Sequence, residues 1–216
     1  MSRPRSDHVV RREVIARAAA SVIADRGLEQ LTLRDLAAEL GATTGALTHY
    51  FPSKDALVAH TKELVFDEWY ARARLAAEGP TGRERLHAVV AELLPLDAER
   101  CTSWRVLVAF QGSAVGSPEL RHAHARRMGR WFAFFEELVA DLVPAGAPPT
   151  AAADLGMAVA LMVEGMAIHF AMLEPPLAPE RQLAFAREQV ERLVPGAAMM
   201  ARRAARPVGR RSVVGP

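Results

Sequence analysis

The sequence has only one cysteine, Cys101, among its 216 residues. A single thiol can form neither a disulfide framework nor a thiolate metal cluster within one chain. The first thirteen residues are charged and lack the apolar core of a signal peptide, so we expect a cytoplasmic protein. The alternation of polar and apolar residues that is typical of strands is also missing, and there is no internal repeat.

The familiar patterns of catalytic and metal-binding residues are absent too. Ser113 has the wrong offset within the run 112–116 for a nucleophile elbow. His122 and His124 are two residues apart and would point to different faces of a helix, which does not suit a shared metal ion. No P-loop or dinucleotide-binding fingerprint occurs. We therefore expect no enzyme, no metal site and no cofactor.

The formal net charge of +2 hides an uneven distribution of charge. The segment 202–216 has no acidic residue and contains five arginines: Arg202, Arg203, Arg206, Arg210 and Arg211. Without them, 22 basic residues stand against 25 acidic ones, so the rest of the chain is slightly acidic. We interpret this segment as a basic, disordered tail, and nucleic-acid binding by the tail is the alternative.

Helical periodicity is the feature that the sequence does contain, and it recurs nine times between short Gly/Pro breaks. Half of the residues are hydrophobic, which is enough for a packed core. The sequence therefore predicts an all-α fold of about nine helices. The periodic segments run from Ile15 to Ile23, Leu33 to Leu40, Thr44 to Tyr50, Leu57 to Leu75, Leu86 to Leu94, Trp104 to Val115, Met128 to Leu142, Thr150 to Leu173 and Leu183 to Val194.

The eighth segment is apolar on both sides of the predicted helix. At 100° per residue, Met157, Leu161 and Ile168 share one stripe. The opposite side carries Val159, Met162, Val163, Met166 and Phe170. A membrane helix needs about 20 clean apolar residues, and Glu164 and His169 interrupt this stretch. We predict instead that one side packs in its own domain and the other on a second subunit, with no membrane segment.

Residues Leu33 to Tyr50 meet the physical requirements of a helix-turn-helix. Thr32 can cap the first helix, and Asp35 can bond back to the Thr32 amide, as in a capping box. Ala37 is small where two helices would cross. Gly41 follows four residues later, where a tight turn favours a positive φ.

The second helix of this motif has an apolar inner side and a polar outer side. Ala42 and Leu47 would hold it against the first helix, and Thr43 or Thr44 would cap it. The outward residues are short or polar, as contact with the DNA major groove demands: Thr44, Gly45, Thr48 and His49. Two short helices that simply pack in a bundle are the alternative.

The run from Gly41 to Leu57 (GATTGALTHYFPSKDAL) resembles the signature of the tetracycline-repressor (TetR) family of DNA-binding regulators. The resemblance covers about residues 9–60. The C-terminal part matches only in helix number and lengths, and the segments 117–120 and 164–194 look most like the BetI-like subgroup. Many family members carry Tyr where this chain has Thr48, so the resemblance does not carry over an operator sequence.

The resemblance implies a set of DNA contacts. Thr32 and Lys54 would bind phosphates, and Arg34 would reach a base or a phosphate. Thr43 would belong to the DNA-binding residues, Tyr50 would approach the DNA backbone, and the base edges would face Thr44, Gly45, Thr48 and His49. Four arginines, Arg3, Arg5, Arg11 and Arg12, would form either an arm near the minor groove or an ordinary solvated N-terminus.

The resemblance also implies a homodimeric repressor that a small molecule releases from a palindromic operator. Residues 1–53 would form the DNA-binding domain and residues 54–201 the ligand-binding and dimerisation domain. The fourth helix would connect the two, and helices eight and nine would form the dimer interface. An activator, or a helical adaptor without specific DNA binding, is the alternative.

The effector would bind among aromatic, methionine and polar side chains of the C-terminal domain. The candidate residues are Trp69, Trp104, Gln111, Met128, Trp131, Phe135, Met162, Glu164 and Met166. Glu164 is a carboxylate within an apolar stripe and needs a partner. A cationic or amphipathic effector flanked by tryptophans would suit it, and an ion pair with an arginine of the second subunit is the alternative.

Overall fold

The computed structural model describes residues 4–116 and 118–194, and over these residues the fold is entirely helical. The predicted all-α fold is therefore confirmed. The helices are α1 (Pro4–Arg26), α2 (Leu33–Glu39), α3 (Thr44–Tyr50), α4 (Lys54–Ala76), α5 (Gly82–Leu93), α6 (Ala98–Ala114), α7 (Pro118–Val139), α8 (Ala151–Ala171) and α9 (Pro179–Leu193). A short 3₁₀ turn, Ala140–Leu142, follows α7. The predicted tail, 202–216, lies outside the described residues.

Side-chain oxygens cap the first turns of α2, α3 and α4. The hydroxyls of Thr32, Thr43 and Ser53 accept hydrogen bonds from the amides three residues later, at 3.0–3.1 Å. Each bond satisfies an amide that has no partner inside the helix. The expected capping box is wrong in one detail, because the Asp35 carboxylate accepts from the Thr32 hydroxyl at 2.6 Å, which leaves the Thr32 amide out of the motif.

The first helix joins the two ends of the molecule. α1 packs against both α4 and α6, and its buried residues, including Ile15, Ala19 and Ile23, belong to one core that continues through the C-terminal helices. Gly27 ends α1 with φ 85°, the left-handed geometry that glycine adopts without strain. The division of the chain at residue 53 stays a prediction.

The pair α7–α8 is the most closely packed part of the scaffold. A Cβ atom at Gly156 would lie 2.6 Å from the backbone nitrogen of Glu136, so only glycine allows the two helices to approach this closely. The side of α8 that contains Val159, Val163 and Ala167 is fully buried. α7 and α8 thus form a closely packed pair against which the other C-terminal helices pack.

The opposite side of α8 is open in the single chain. Met157 is 43% exposed and Leu161 is 51% exposed, so the two predicted stripes differ in burial. By length and composition α8 could cross a membrane, although a third of the relevant stretch is buried inside the chain (33%). Two apolar side chains of α9, Leu183 and Phe185, are exposed as well, and the Phe185 ring lies near that of Phe170 on α8.

Several apolar residues at the ends of the predicted periodic segments are exposed, and Leu75 and Val115 are the most exposed of them. Leu75 is 66% exposed and Val115 is 76% exposed. Both lie at the very end of a helix, Leu75 in the last turn of α4 and Val115 at the C-cap of α6. Apolar periodicity predicts the inner side of a helix, but it does not show whether a neighbouring helix extends far enough to cover that side.

Candidate nucleic-acid interface and internal cavity

The helices α2 and α3 form a compact helix-turn-helix unit. Leu36, Ala37 and Leu47 are each no more than 2% exposed and form its interior. In the turn, Gly41 has φ 61° and the amide of Ala42 donates to the carbonyl of Ala37 at 2.8 Å. Ala42 itself is exposed, so the prediction that it packs between the helices is wrong: its backbone, and not its side chain, holds the turn.

The residues expected to face base edges lie together on the outer side of α3. Thr44, Gly45, Thr48 and His49 are all exposed. The Thr48 hydroxyl donates to the carbonyl of Gly45 at 3.0 Å, which satisfies its proton and leaves its oxygen free to accept. Thr43, and not Thr44, is the cap of α3.

The residues expected to contact phosphates flank this surface. Arg34 is exposed and forms no ion pair with any described residue, so its charge is available. Lys54 is half-buried and its Nζ donates to the carbonyl of Glu29 at 3.2 Å, which fixes the start of α4 beside the loop before α2. The Thr32 hydroxyl is exposed but already bonded to Asp35.

An ordered contact between α1 and the end of α3 replaces part of the predicted arginine arm. Arg12 donates to the carbonyl of Tyr50 at 2.8 Å, and its guanidinium lies 4.3 Å from the centre of the Phe51 ring. The ring of His8 lies 4.9 Å from that of Tyr50. Arg12 is therefore part of the packed structure. In the sequence, the only sign of this contact is that His8 and Arg12 are four residues apart and so lie on the same side of α1.

The other arginines of the predicted arm are Arg3, Arg5 and Arg11. Arg3 and the side chain of Arg5 lie outside the described residues, while Arg11 is exposed on α1. The expectation of a minor-groove arm therefore remains a prediction for these three.

A small internal cavity lies between α4, α6, α7 and α8. Its volume is about 40 Å³, and six of the nine predicted ligand residues line it. These six are Trp69, Trp104, Gln111, Met128, Trp131 and Glu164. The other lining residues were not predicted: Lys62, Phe66, Leu107, Phe110, His124 and Arg127.

Three predicted ligand residues do not line the cavity. Phe135 is fully buried and packs edge-on against Trp131, with ring centres 4.6 Å apart. Met166 is part of the core, and Met162 is half-buried beside it. Helical spacing puts these residues near the cavity wall but does not show which of them reaches it.

The ionisable groups of the cavity differ in how they are paired. Glu164 accepts a hydrogen bond from the side-chain amide of Gln111 at 2.7 Å, a partner within the chain that the sequence did not reveal. Arg127 pairs with the exposed Glu63 at 3.6 Å. Burial lowers the pKa of His124, which favours its neutral form at neutral pH.

Lys62 is the exception. It is only 5% exposed and forms no hydrogen bond or ion pair with any described residue. Its Nζ lies 5.6 Å from the centre of the Phe110 ring. Burial lowers the pKa of its ammonium group, and the charge of Arg127 lowers it further. No sequence signal marks this lysine, because its neighbours in the chain are ordinary residues of an amphipathic helix.

The sequence matches two family models. Residues 15–61 match the model of bacterial regulatory proteins of the tetR family, and residues 82–195 match that of the C-terminal domain of BetI-type transcriptional repressors.

The chain belongs to the TetR family.

A curated relative supports this assignment, and two solved structures share the fold. The transcriptional regulator PksA of Bacillus subtilis is 31% identical over 174 residues, which cover 78% of this chain and 82% of PksA. A regulator from Saccharomonospora viridis in complex with choline superposes with a TM-score of 0.70 at 21% identity, covering 85% of this chain and 96% of its own. AibR, in complex with isovaleryl coenzyme A and operator DNA, superposes with a TM-score of 0.66 at 21% identity, covering 86% and 98%.

Both the helix-turn-helix and the BetI-like C-terminal domain are thus confirmed, and the chain is a helix-turn-helix transcriptional regulator. At these identities the two solved structures establish the fold alone.

Proposed function

We propose that this TetR-family regulator is a cytoplasmic repressor that binds a palindromic operator as a homodimer and is released by a small-molecule effector. The observation that carries the proposal is a single helix, α4, that connects the two sites. α4 begins at Lys54, beside the helix-turn-helix, and carries Lys62 and Trp69 in the cavity wall. A change in the cavity therefore acts directly on the helix that holds the DNA-reading unit.

The DNA-reading surface would consist of the exposed residues of α3 and the basic residues beside it. Thr44, Gly45, Thr48 and His49 would meet base edges in the major groove. Thr32, Arg34, Tyr50 and Lys54 would contact the phosphate backbone and set the position of α3 in the groove.

The dimer interface would consist of the exposed apolar side chains of α8 and α9. Met157, Leu161 and Phe185 are each more than 40% exposed, and an apolar surface of this kind favours a partner subunit. To read a palindrome, the dimer must place its two copies of α3 about 34–36 Å apart, the separation of successive major-groove turns. This account also explains why α8 is apolar on both sides without invoking a membrane.

Effector binding would enlarge the cavity. Small-molecule sites usually have volumes of about 300–1,000 Å³, whereas this cavity measures about 40 Å³, room for only a few waters. An effector must therefore displace side chains of α4, α6 or α7. The DNA affinity falls to the extent that the effector prefers the displaced arrangement.

The fold does not determine the charge of the effector, because the two solved structures contain choline, a cation, and isovaleryl coenzyme A, an anion. Of the two classes that the sequence suggests, cationic and amphipathic, we propose the amphipathic. Its apolar part would lie against Trp69, Trp104 and Trp131. We propose no catalytic activity for the cavity.

Selection of bound fragments from random DNA, repeated with Thr48→Ala, tests the proposed function. We expect a palindrome from the wild-type chain and a relaxed preference at one position of each half-site from the variant, worth about 1 kcal/mol. Binding without a preferred sequence, lost only when residues 202–216 are removed, would contradict it. A reporter gene placed behind the recovered palindrome then distinguishes repression from activation.

A further inference from the structure

Lys62 carries a positively charged group without a partner in the wall of the cavity. The chain has only two lysines, Lys54 and Lys62, against 25 arginines. Lys54 has a carbonyl partner, whereas Lys62 is only 5% exposed and has no hydrogen-bonding partner among the described residues. Its Nζ is not among the fully buried atoms that lack a partner, so the atom keeps some accessible surface. An ammonium group that is largely shielded from water and unpaired still destabilises the folded chain, so a partner from outside the single chain would stabilise it.

Two more donors beside the cavity have no acceptor. The indole nitrogens of Trp69 and Trp131 are buried and have no hydrogen-bonding partner in the described part of the chain. Their rings lie 4.2 Å apart. Trp104 is different, because its indole donates to the carbonyl of Leu93 at 2.7 Å. Among the described lining residues, the fully buried polar atoms without a partner are therefore the two indole N–H donors, and the Lys62 ammonium is a third donor without an acceptor.

The other charges of the cavity do not offset Lys62. Glu164 lies more than 4 Å from its ammonium group, since no ion pair joins them, and its carboxylate already accepts from Gln111. Arg127 adds a second positive charge, and it is paired on its outer side with Glu63. His124, whose pKa burial lowers, adds no negative charge. A cationic effector would meet Lys62 and Arg127, whereas an anionic one would meet unpaired donors.

We propose that the effector is an organic carboxylate with an apolar body, and that Lys62 binds its carboxylate group. The inference rests on the proposed function of the cavity as the effector site. The aromatic wall would contact the apolar body, and the carboxylate oxygens would accept from Lys62 and from an indole N–H. Because Lys62 belongs to α4, the new ion pair would act on the helix that holds the DNA-reading unit.

Three probes with the same apolar body and different headgroups test the proposal: octanoate, octanamide and octylammonium. All three tryptophans of the chain line the cavity, so their intrinsic fluorescence reports binding there and needs no DNA. We expect octanoate to bind about ten- to a hundredfold more tightly than octanamide, as for a hydrogen bond to a charged group. Lys62→Met should remove this preference and leave octanamide binding unchanged.

The contrasting variant is Glu164→Gln, which removes the only acid among the described lining residues. It should improve the affinity for octanoate, because it removes a negative charge from the cavity. Equal affinities for the three probes, tighter binding of octylammonium that depends on Glu164, or no binding by any of them would each overturn the proposal.

The stability of the ligand-free protein provides an independent readout. Lys62→Met should raise the melting temperature by about 2–4 °C, since methionine fills the same space without an unpaired charge. A lower melting temperature would show that Lys62 stabilises the fold itself and would overturn its assignment as a ligand-binding residue.

DNA binding is measured separately, by fluorescence anisotropy with the selected palindrome. If the chain binds no palindrome, the proposed function is contradicted. The probe titration still shows which headgroup the cavity prefers. Specific DNA binding together with no preference for octanoate contradicts only the inference about Lys62.

Discussion

The DNA-reading unit and the cavity differ in how their polar groups are satisfied. Around α2 and α3, the hydroxyls of Thr32, Thr43 and Ser53 all accept backbone amides, and Arg12 holds the end of α3 through the carbonyl of Tyr50. Around the cavity, Lys62 and two indole groups have no acceptor in the described chain.

The difference indicates that the two sites are preorganised for their ligands to different degrees. A satisfied unit with its remaining polar groups in water is already in its binding shape, and DNA can contact it without rearrangement. The cavity has buried donors without acceptors and room for only a few waters, so it is not yet in its binding shape. Its ligand must supply acceptors and displace side chains. Rigidity at one end and deformability at the other are what a ligand-released regulator requires.

The largest expected effect comes from changing the close contact between α7 and α8 at Gly156. Gly156→Ala should lower the free energy of unfolding by about 3 kcal/mol, because the new Cβ would lie 2.6 Å from the Glu136 backbone nitrogen. Urea denaturation measures the change.

Gly129→Ala on α7 is the control, since a Cβ there meets nothing within 4 Å. It should stabilise the chain by about 0.5–1 kcal/mol through helix propensity. Equal effects of the two substitutions would show that the close approach of α7 and α8 is not required.

The second prediction concerns the proposed interface on α8. Leu161→Glu should weaken dimerisation about thirtyfold or more, because a carboxylate would be buried between two apolar surfaces. Analytical ultracentrifugation measures the dissociation constant, and circular dichroism checks that the helices remain.

Leu75→Glu is the matched control, since Leu75 is also exposed but lies at the end of α4. If Leu75→Glu yields monomers and Leu161→Glu does not, the interface lies elsewhere.

A third, smaller effect is expected on the DNA-reading surface. Arg34→Ala should lower operator affinity about tenfold and, if Arg34 contacts a phosphate, reduce the slope of log affinity against log salt by about 1. Titrations at several salt concentrations measure both quantities. Arg126→Ala, an exposed arginine on α7, should change neither, and an equal loss from it would point to non-specific attraction.

The smallest effect is a pH dependence that compares the two regions directly. Burial lowers the pKa of both His60, whose ring lies 5.3 Å from that of Phe51, and His124 in the cavity. For His60 the charge of Arg12 lowers it further, and Glu13 partly offsets this.

A histidine whose pKa is lowered by folding binds more protons in the unfolded chain. Its contribution to stability is therefore complete above the ordinary pKa of 6.5 and is lost as the pH falls below it. His60→Gln and His124→Gln should each reduce the loss of stability between pH 7 and pH 5, measured by thermal unfolding. An unchanged pH profile in both variants would contradict the assignment.

The sequence alone determined the parts of this protein that depend on local chemistry. A helix cap such as Thr32 acts on an amide three residues later, and a positive φ at Gly41 depends on the glycine itself. Apolar periodicity likewise predicted every helix over the described residues. The helix-turn-helix and its exposed face follow from such local rules, which is why they were predictable.

The tertiary structure decided which side chains meet across distance in the chain. Gln111 and Glu164 are 53 residues apart, and Arg12 and Tyr50 are 38 residues apart. Whether Lys62 is buried depends on how far α6 and α7 extend over α4, and the need for glycine at position 156 depends on the separation of α7 and α8. Periodicity predicts the inner side of a helix, but the rotation and spacing of packed helices come from the whole core, and no local pattern encodes them.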